Sequence, residues 1–369
     1  MSAGFFTDER CFWHGGGNYA GTMPVGGLVQ PLTAGGLPEG PEAKRRALSM
    51  MQVTGLAGEL AVQSAPPASR AELLRVHPAS LLDAFKALSD GDGGELGLRA
   101  PFGPGGYEIA ALSAGLATEA LRRVLSGQLD SAYALCRPPG HHCTPDWQNG
   151  FCLINNIAVA VEAALAEGRA ERIAVVDWDV HHGNGTEACF IDRPEVLTIS
   201  IHQDRNYPLD TGMAEVRGEG AGAGTNVNIP LPPGAGHVSY LEAIDRLVLP
   251  KLLAFQPDVI VIANGVDAGA NDPLGRMLCT AETFGQMTMR LRDAADELCS
   301  GRLVATHEGG YSDTYAPFCT HRVVQEMARS NTAAADPLAA TFDARQPDAG
   351  FNAFVSARID DLVALHLDV

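Results

Sequence analysis

The sequence predicts an α/β fold, a mostly parallel sheet covered by helices on both faces. Three observations carry this. Short, continuously apolar, β-branched runs alternate with amphipathic helical stretches. Of 369 residues, 46% are hydrophobic and only 19% charged, enough for a large buried core and against wholesale disorder. The polar, chemistry-bearing residues cluster directly after the apolar runs, at the carboxyl ends of strands, where open α/β sheets bind ligands.

In chain order, Glu42–Gln63 and then Glu108–Leu125 are amphipathic and read as helices. Ala132–Cys136 reads as a strand, followed by the polar run Arg137–His142. A helix over Asn156–Glu167 leads to a strand at Ile173–Trp178 that runs into Asp177–Asn184. Val196–His202 is the next strand and delivers His202–Tyr207; Asn226–Ile229 follows. A helix over Val238–Phe255 precedes the strand Val259–Ala263, which opens into Asn264–Asp272. A helix over Ala281–Leu298, a strand at Leu303–His307 leading to Glu308–Tyr311, and a helix over Ala316–Arg329 complete the series. No Ser-rich linker, charge block or repeat interrupts it, so residues 1–369 read as a single domain. The Gly/Pro-rich stretches Gly26–Pro41 and Gly91–Gly106 read as surface connectors, or else as the rim of a pocket or a subunit contact.

The net charge of −18 comes from 44 Asp and Glu against 26 Lys and Arg. That balance argues against nucleic-acid binding, which needs clustered cations. It leaves a cationic substrate open. The opening segment MSAGFFTDERCFWHGGG lacks the basic and apolar regions of a secretory signal, and no apolar run is long enough to span a bilayer. A cytoplasmic setting without membrane attachment is expected. The eight scattered cysteines form no C-x-x-C pair and read as free, mostly buried thiols. Cys143, beside two histidines, is the one with an alternative as an oxidation or metal site.

Three clusters carry chemistry. In Asp177-Trp178-Asp179-Val180-His181-His182-Gly183-Asn184, an extended backbone points Asp177, Asp179 and His181 to one side. Two carboxylates and an imidazole there make a poor core and a good divalent-metal half-site. Asp267, after the strand Val259–Ala263, is the best candidate for a third ligand, although alone it would read as a loop carboxylate or helix cap. Three protein ligands leave a position open for water and substrate, as in catalytic zinc sites.

In Arg137-Pro138-Pro139-Gly140-His141-His142 a stiff backbone presents two histidines suited to general acid and base work. Asp177 and Asn184 are available to orient them, and a carboxylate behind one ring and an amide behind the other would separate their pKa values. In Glu308-Gly309-Gly310-Tyr311 the glycines allow close approach, and the tyrosine can donate to a developing oxyanion.

Together, in this order and spacing, the segments RPPGHH, GFCLINNIAVA, DWDVHHGNGT, VDAGANDPLG and EGGY resemble the histone deacetylase superfamily, with a closer likeness to class II-type enzymes and bacterial histone-deacetylase-like amidohydrolases. The resemblance implies an arginase/deacetylase-type fold with an eight-stranded parallel sheet. It implies Zn²⁺ held by Asp179, His181 and Asp267. His141 and His142 would be the tandem pair, with His142 as general base and Asp177 behind His141. Tyr311 would bind the carbonyl oxygen. Potassium would sit near groups matching Asp177, Asp179, His181 and Ser200. Gly150, Phe151, Tyr207 and Leu274 would line an acyl tunnel. Long N-terminal loops often make subunit contacts in bacterial relatives, which leaves a homo-oligomer open.

Some positions depart from the family pattern. Tyr207 stands where a tunnel Phe is usual, and Asn149 where a Met often precedes Gly-Phe-Cys. Asn264-Gly265-Val266-Asp267 replaces a small residue, Gly, Phe or Leu, and Asp. Cys143 replaces a common Ala. No catalytic group is lost.

The leading reading is therefore a zinc-dependent amidohydrolase that removes an acyl group from an acylated amine. The substrate is an acyl-lysine or a small amine such as an acetylpolyamine; a broad acylamide or ester hydrolase is a third alternative. A non-catalytic acyl-lysine reader would have lost a catalytic group. An arginase-like two-manganese enzyme would need further bridging carboxylates.

Overall fold

The structure, a computed structural model, describes residues 2–15, 19–24 and 37–367. Eight strands form one all-parallel sheet: β1 Ala3–Phe6, β2 Ala61–Gln63, β3 Ser131–Ala134, β4 Ile173–Asp177, β5 Val196–Gln203, β6 Asn226–Leu231, β7 Val259–Asn264 and β8 Leu303–His307. Their order is β6-β5-β4-β7-β8-β3-β1-β2. The sheet is eight-stranded and all-parallel, as the resemblance implies, with helices on both faces.

Residue alternation along each strand sorts side chains to the two faces. Ala174, Val176, Ile260 and Ile262 face the helices Glu42–Thr54, Ala281–Cys299 and Ala316–Met327. Ile173, Val175, Val259 and Val261 face Gly106–Leu125 and Asn156–Ala166. With both faces covered, the central strands are apolar throughout.

The strand order also places the site. From β4 the chain winds outward through β5 and β6, then returns so that β7 and β8 lie on the other side of β4. The direction of winding reverses between β4 and β7, and a crevice opens at their carboxyl ends. In register, Asp177 stands opposite Ala263 on β7 and Ser200 on β5.

Three sequence readings need correction. The helix expected over Glu42–Gln63 stops at Thr54, because Gly55 adopts φ 91° and turns the chain into Leu56–Glu59 and then β2. β1, next to the edge, and the edge strand β2 are four and three residues long and were not read from the sequence. The helix expected at Val238 starts at His237 and contains a wide turn at Ile244–Val248 just before Pro250, whose ring nitrogen has no proton to donate. Helices at Ala79–Ser89 and Ala349–Leu367 were not anticipated.

Residues 26–36 of the Gly26–Pro41 stretch lie outside the described residues. Gly91–Gly106 is more than a connector, since it contains a small antiparallel pairing of Gly94–Glu95 with Pro101–Phe102. All eight cysteines are free and seven are buried. Cys143 is among the buried ones, and burial pushes its thiol well up, which removes the ground for an exposed reactive thiol. Among the described residues, no helix is long and apolar enough to cross a membrane.

Candidate active site

Beyond β4 the backbone is held by its own carboxylates. Asp177 Oδ1 accepts from the Asp179 amide and Asp179 Oδ1 from the His181 amide, each at 2.9 Å. These bonds present Asp179 and His181 at the base of the crevice. Asp267, past β7, is tied back by Val180 N–H donating to its Oδ1 at 2.8 Å. Asp179, His181 and Asp267 are all buried, and one ligand atom from each lies within 4.8 Å of the others. His181 Nδ1 is 3.0 Å from an oxygen of each aspartate.

This trio fits a divalent cation. Asp267 Oδ2 is fully buried and has no well-directed hydrogen bond, a costly state unless something else binds it. Burial and the Asp179 charge raise the Asp267 carboxyl. Burial acts the same way on Asp179, but His141 and His181 overcome it and hold that carboxyl low. The space is kept by Gly309: a Cβ there would stand 2.1 Å from Asp267 Oδ2 and 2.6 Å from Asp179 Oδ2. One imidazole nitrogen and two carboxylate oxygens suit zinc or another borderline divalent ion.

The tandem histidines sit beside the trio and differ in what stands behind them. His141 Nδ1 meets Asp177 Oδ2 at 2.9 Å, whereas His142 Nδ1 meets Asn184 Oδ1 at 2.8 Å. Burial disfavours charge on both rings. At His141 the Asp179 and Asp177 carboxylates overcome it and raise the pKa to about 10. His142 has no such carboxylate behind it, and burial with the neighbouring His141 and His181 pushes it well below the usual range. The two rings pack at 4.0 Å between centroids.

Glu308 secures their loop, a role the sequence reading did not assign. Its Oε2 accepts from Gly140 N–H at 2.7 Å and His141 N–H at 3.0 Å. Arg137 anchors the other end, donating to the carbonyls of Cys11, His14 and Glu39. Both residues belong to motifs noted in the sequence; only their partners were hidden.

A cavity of about 190 Å³ leads down to this chemistry. His142, Gly150, Phe151, His181, Tyr207, Leu274 and Tyr311 line it. All four residues expected in a tunnel are therefore present, and so is Tyr311. The Tyr311 ring packs edge-on against Phe151 and His181, with centroids 5.7 and 6.3 Å away. Burial and the Asp267 and Asp179 charges raise its phenol well above the usual range, so it remains a donor. Gly150 has φ 52°, and a Cβ there would strike the His142 ring at 2.5 Å.

Thr22, Arg99 and Asn206 also line the cavity and were not singled out in the sequence. Arg99 comes from the Gly91–Gly106 stretch, where only the general reading as a pocket rim pointed to it.

Ser200 lies opposite Asp177 in the sheet, and its hydroxyl meets His202 Nδ1 at 2.9 Å. Asn264 is occupied elsewhere: its Oδ1 accepts from the Trp178 indole and its Nδ2 donates to the Tyr133 hydroxyl.

Comparison with known proteins gives a consistent set of relatives. A family profile for "Histone deacetylase domain" matches residues 37–327. A histone deacetylase-like amidohydrolase of Pseudomonas aeruginosa is 54% identical over 360 residues, 98% of this chain and 95% of the relative. Histone deacetylase 8 of Arabidopsis thaliana is 36% identical over 79% of both chains. A probable deacetylase of Archaeoglobus fulgidus is 37% identical over 71% of this chain and 72% of its own. Among solved structures, the crystal structure of the HDA15 HD domain superposes with a TM-score of 0.84 at 30% identity, covering 100% of this chain and 96% of that one.

Proposed function

This chain belongs to the histone deacetylase family, and from that premise we propose that it is a zinc-dependent amidohydrolase, acting as one catalytic domain, that removes an acetyl-like acyl group from an acylated amine. The observation that carries this reading is the buried Asp179, His181 and Asp267 trio beside two histidines with unlike partners, at the base of a lined cavity.

Zinc held by Asp179, His181 and Asp267 would polarise the acyl carbonyl and make a water molecule more acidic. His142 is the general base. Its environment keeps it neutral, and Asn184 engages Nδ1, which leaves Nε2 to take the proton from the attacking water. His141, backed by Asp177, keeps positive charge beside the reacting centre. The tandem pair then returns a proton to the leaving amine nitrogen. Tyr311 donates its hydroxyl to the carbonyl oxygen as negative charge develops there. Gly150, Phe151, Tyr207 and Leu274 hold the acyl-bearing chain. The turn shared by Asp177, Asp179 and His181, with Ser200 opposite, is the proposed potassium position.

The experiment is hydrolysis of a fluorogenic acyl-lysine by zinc-loaded protein and by Tyr311→Phe. The wild type should turn over, and the variant should lose about 10²-fold or more in kcat, the usual size of a lost oxyanion donor. Equal kcat in the two proteins would remove Tyr311 from the mechanism, and inert wild type would refute the hydrolase reading.

A further inference from the structure

The chain carries a net charge of −18, yet among the described residues those lining the cavity include neither an aspartate nor a glutamate. Among these described residues, the one with a fixed charge is a cation, Arg99. Its guanidinium carbon lies 5.3 Å from the centre of the Tyr207 ring, in range for a cation–π contact. Tyr207 itself packs edge-on over His142 and His181, with centroids 5.2 and 6.2 Å away. Arg99 is therefore stacked one ring away from the reacting centre. Among the described residues it forms no ion pair, so its charge is not neutralised by a carboxylate there.

The backbone around Arg99 points the same way. Arg99 has φ 55° and Phe151 φ 69°, a left-handed conformation that costs a residue with a side chain about 1 kcal/mol or more. The two are tied to each other: Phe151 N–H donates to Arg99 C=O at 2.7 Å, beside Gly150 N–H to Leu98 C=O at 3.0 Å. The backbone bonds at these two joined positions hold Arg99 on the wall of the cavity, and the contact with the Tyr207 ring places its guanidinium. Glu95, the acid nearest to Arg99 along the loop, is not a lining residue, and its carboxylate accepts from Ala100 N–H at 2.9 Å.

We propose that Arg99 is a specificity-determining residue that ranks substrates by the charge they carry beyond the acylated nitrogen, favouring carboxylate-bearing and neutral acylamines over cationic acylpolyamines. The proposal rests on the amidohydrolase reading and narrows its substrate class. A chain reaching from the zinc position past Tyr207 emerges under the guanidinium. A carboxylate there is attracted and an ammonium repelled. The acidic field of the whole molecule is long-ranged and screened within about 10 Å at moderate salt. The guanidinium acts at shorter range, so it decides at the mouth.

Three acyl-lysine compounds separate the effects: Nα,Nε-diacetyl-lysine as its free acid, the corresponding carboxamide, and Nε-acetyl-lysinamide with its free α-amine. They carry an anion, no charge and a cation on the same carbon. N-acetylcadaverine serves as the polyamine-type probe. For each protein, kcat/KM is referred to its own value for the neutral carboxamide. Wild type should prefer the anionic over the cationic compound by about five- to ten-fold, falling as salt rises. Arg99→Lys should keep the order, Arg99→Ala should flatten it, and Arg99→Glu should reverse it. A wild type that ranks the cationic compounds first, or an Arg99→Glu protein that keeps the wild-type order, would overturn the proposal. If wild type hydrolyses none of them, the amidohydrolase reading falls instead. Calorimetric binding of the same compounds then decides on Arg99 by the same order and the same reversal.

Discussion

Tyr207 donates its hydroxyl to the side-chain oxygen of Asn149 across the wall of the cavity. The sequence singles out each of these residues on its own, and the structure joins them in one polar contact. The pairing is not fully satisfied, because Asn149 Nδ2 is buried without a partner.

The pair predicts a non-additive stability pattern. Tyr207→Phe leaves the buried Asn149 oxygen unpaired and should cost about 1–3 kcal/mol. Asn149→Met leaves the tyrosine hydroxyl without its acceptor and should also destabilise. Combined, the two changes remove both polar partners, so the double variant should lose less than the sum, with a coupling of about 1 kcal/mol. Denaturant unfolding of the four proteins checks this. Strict additivity would mean that the hydrogen bond contributes nothing.

The sequence and the structure part company in a physically consistent way. The six strands from Ser131–Ala134 onward were legible because a sheet buried on both faces demands unbroken apolar runs, as in Val259–Asn264. Ala61–Gln63 was absorbed into a helix because it is three residues long, with Ala61 and Val62 exposed at the sheet edge, and follows the short helix Leu56–Glu59 after a single residue. The metal trio was legible where ligands are contiguous, at Asp179 and His181. Asp267 needed a pairing across 86 positions, which the β4–β7 neighbourhood supplies. Arg99 and Thr22 reach the cavity from segments without periodic pattern, so nothing local marks them. Glu308 was quoted within its motif, but its bonds to Gly140 and His141 depend on β8 lying beside β3.

Removal of the metal should cost both activity and stability. Zinc-loaded protein should hold about one ion per chain at the Asp179, His181 and Asp267 trio. Dialysis against a chelator should abolish hydrolysis and lower Tm by several degrees, since an ion bound only to the folded state stabilises it. Asp267→Asn should give a protein that folds but holds well under one zinc per chain. Elemental analysis together with a thermal melt tests this, and full zinc occupancy in the variant would refute the ligand assignment.

Gly309→Ala should act on the metal without altering any ligand. The added methyl would stand 2.1 Å from Asp267 Oδ2 and 2.6 Å from Asp179 Oδ2, so at least one carboxylate must move. The expected result is a loss of about 10- to 100-fold in zinc affinity, the range seen when groups that orient metal ligands are disturbed. Competition with a zinc chelator measures it. Unchanged affinity would show that the carboxylates have room to spare.

Acid should weaken the fold through histidines outside the active site. His77 Nδ1 meets the Pro145 carbonyl at 2.8 Å, and its Nε2 accepts from Asn155 N–H at 3.1 Å. Both ring nitrogens are thus matched to the neutral tautomer, and protonating Nε2 would break the second bond. Burial lowers its pKa to about 4, against the Pro145 bond, which acts to raise it. His14, buried beside Arg137, is also lowered to about 4. In the unfolded chain each titrates near about 6.5. Below that value the unfolded state takes up protons that the folded state refuses. Stability is therefore fully present above about pH 6.5 and is lost as pH falls towards about 4, each histidine contributing up to about 3 kcal/mol of the loss. His77→Gln should make the slope of unfolding free energy against pH shallower by about one proton across this window. Urea unfolding at several pH values measures the slope. An unchanged slope in the variant would place the acid sensitivity elsewhere.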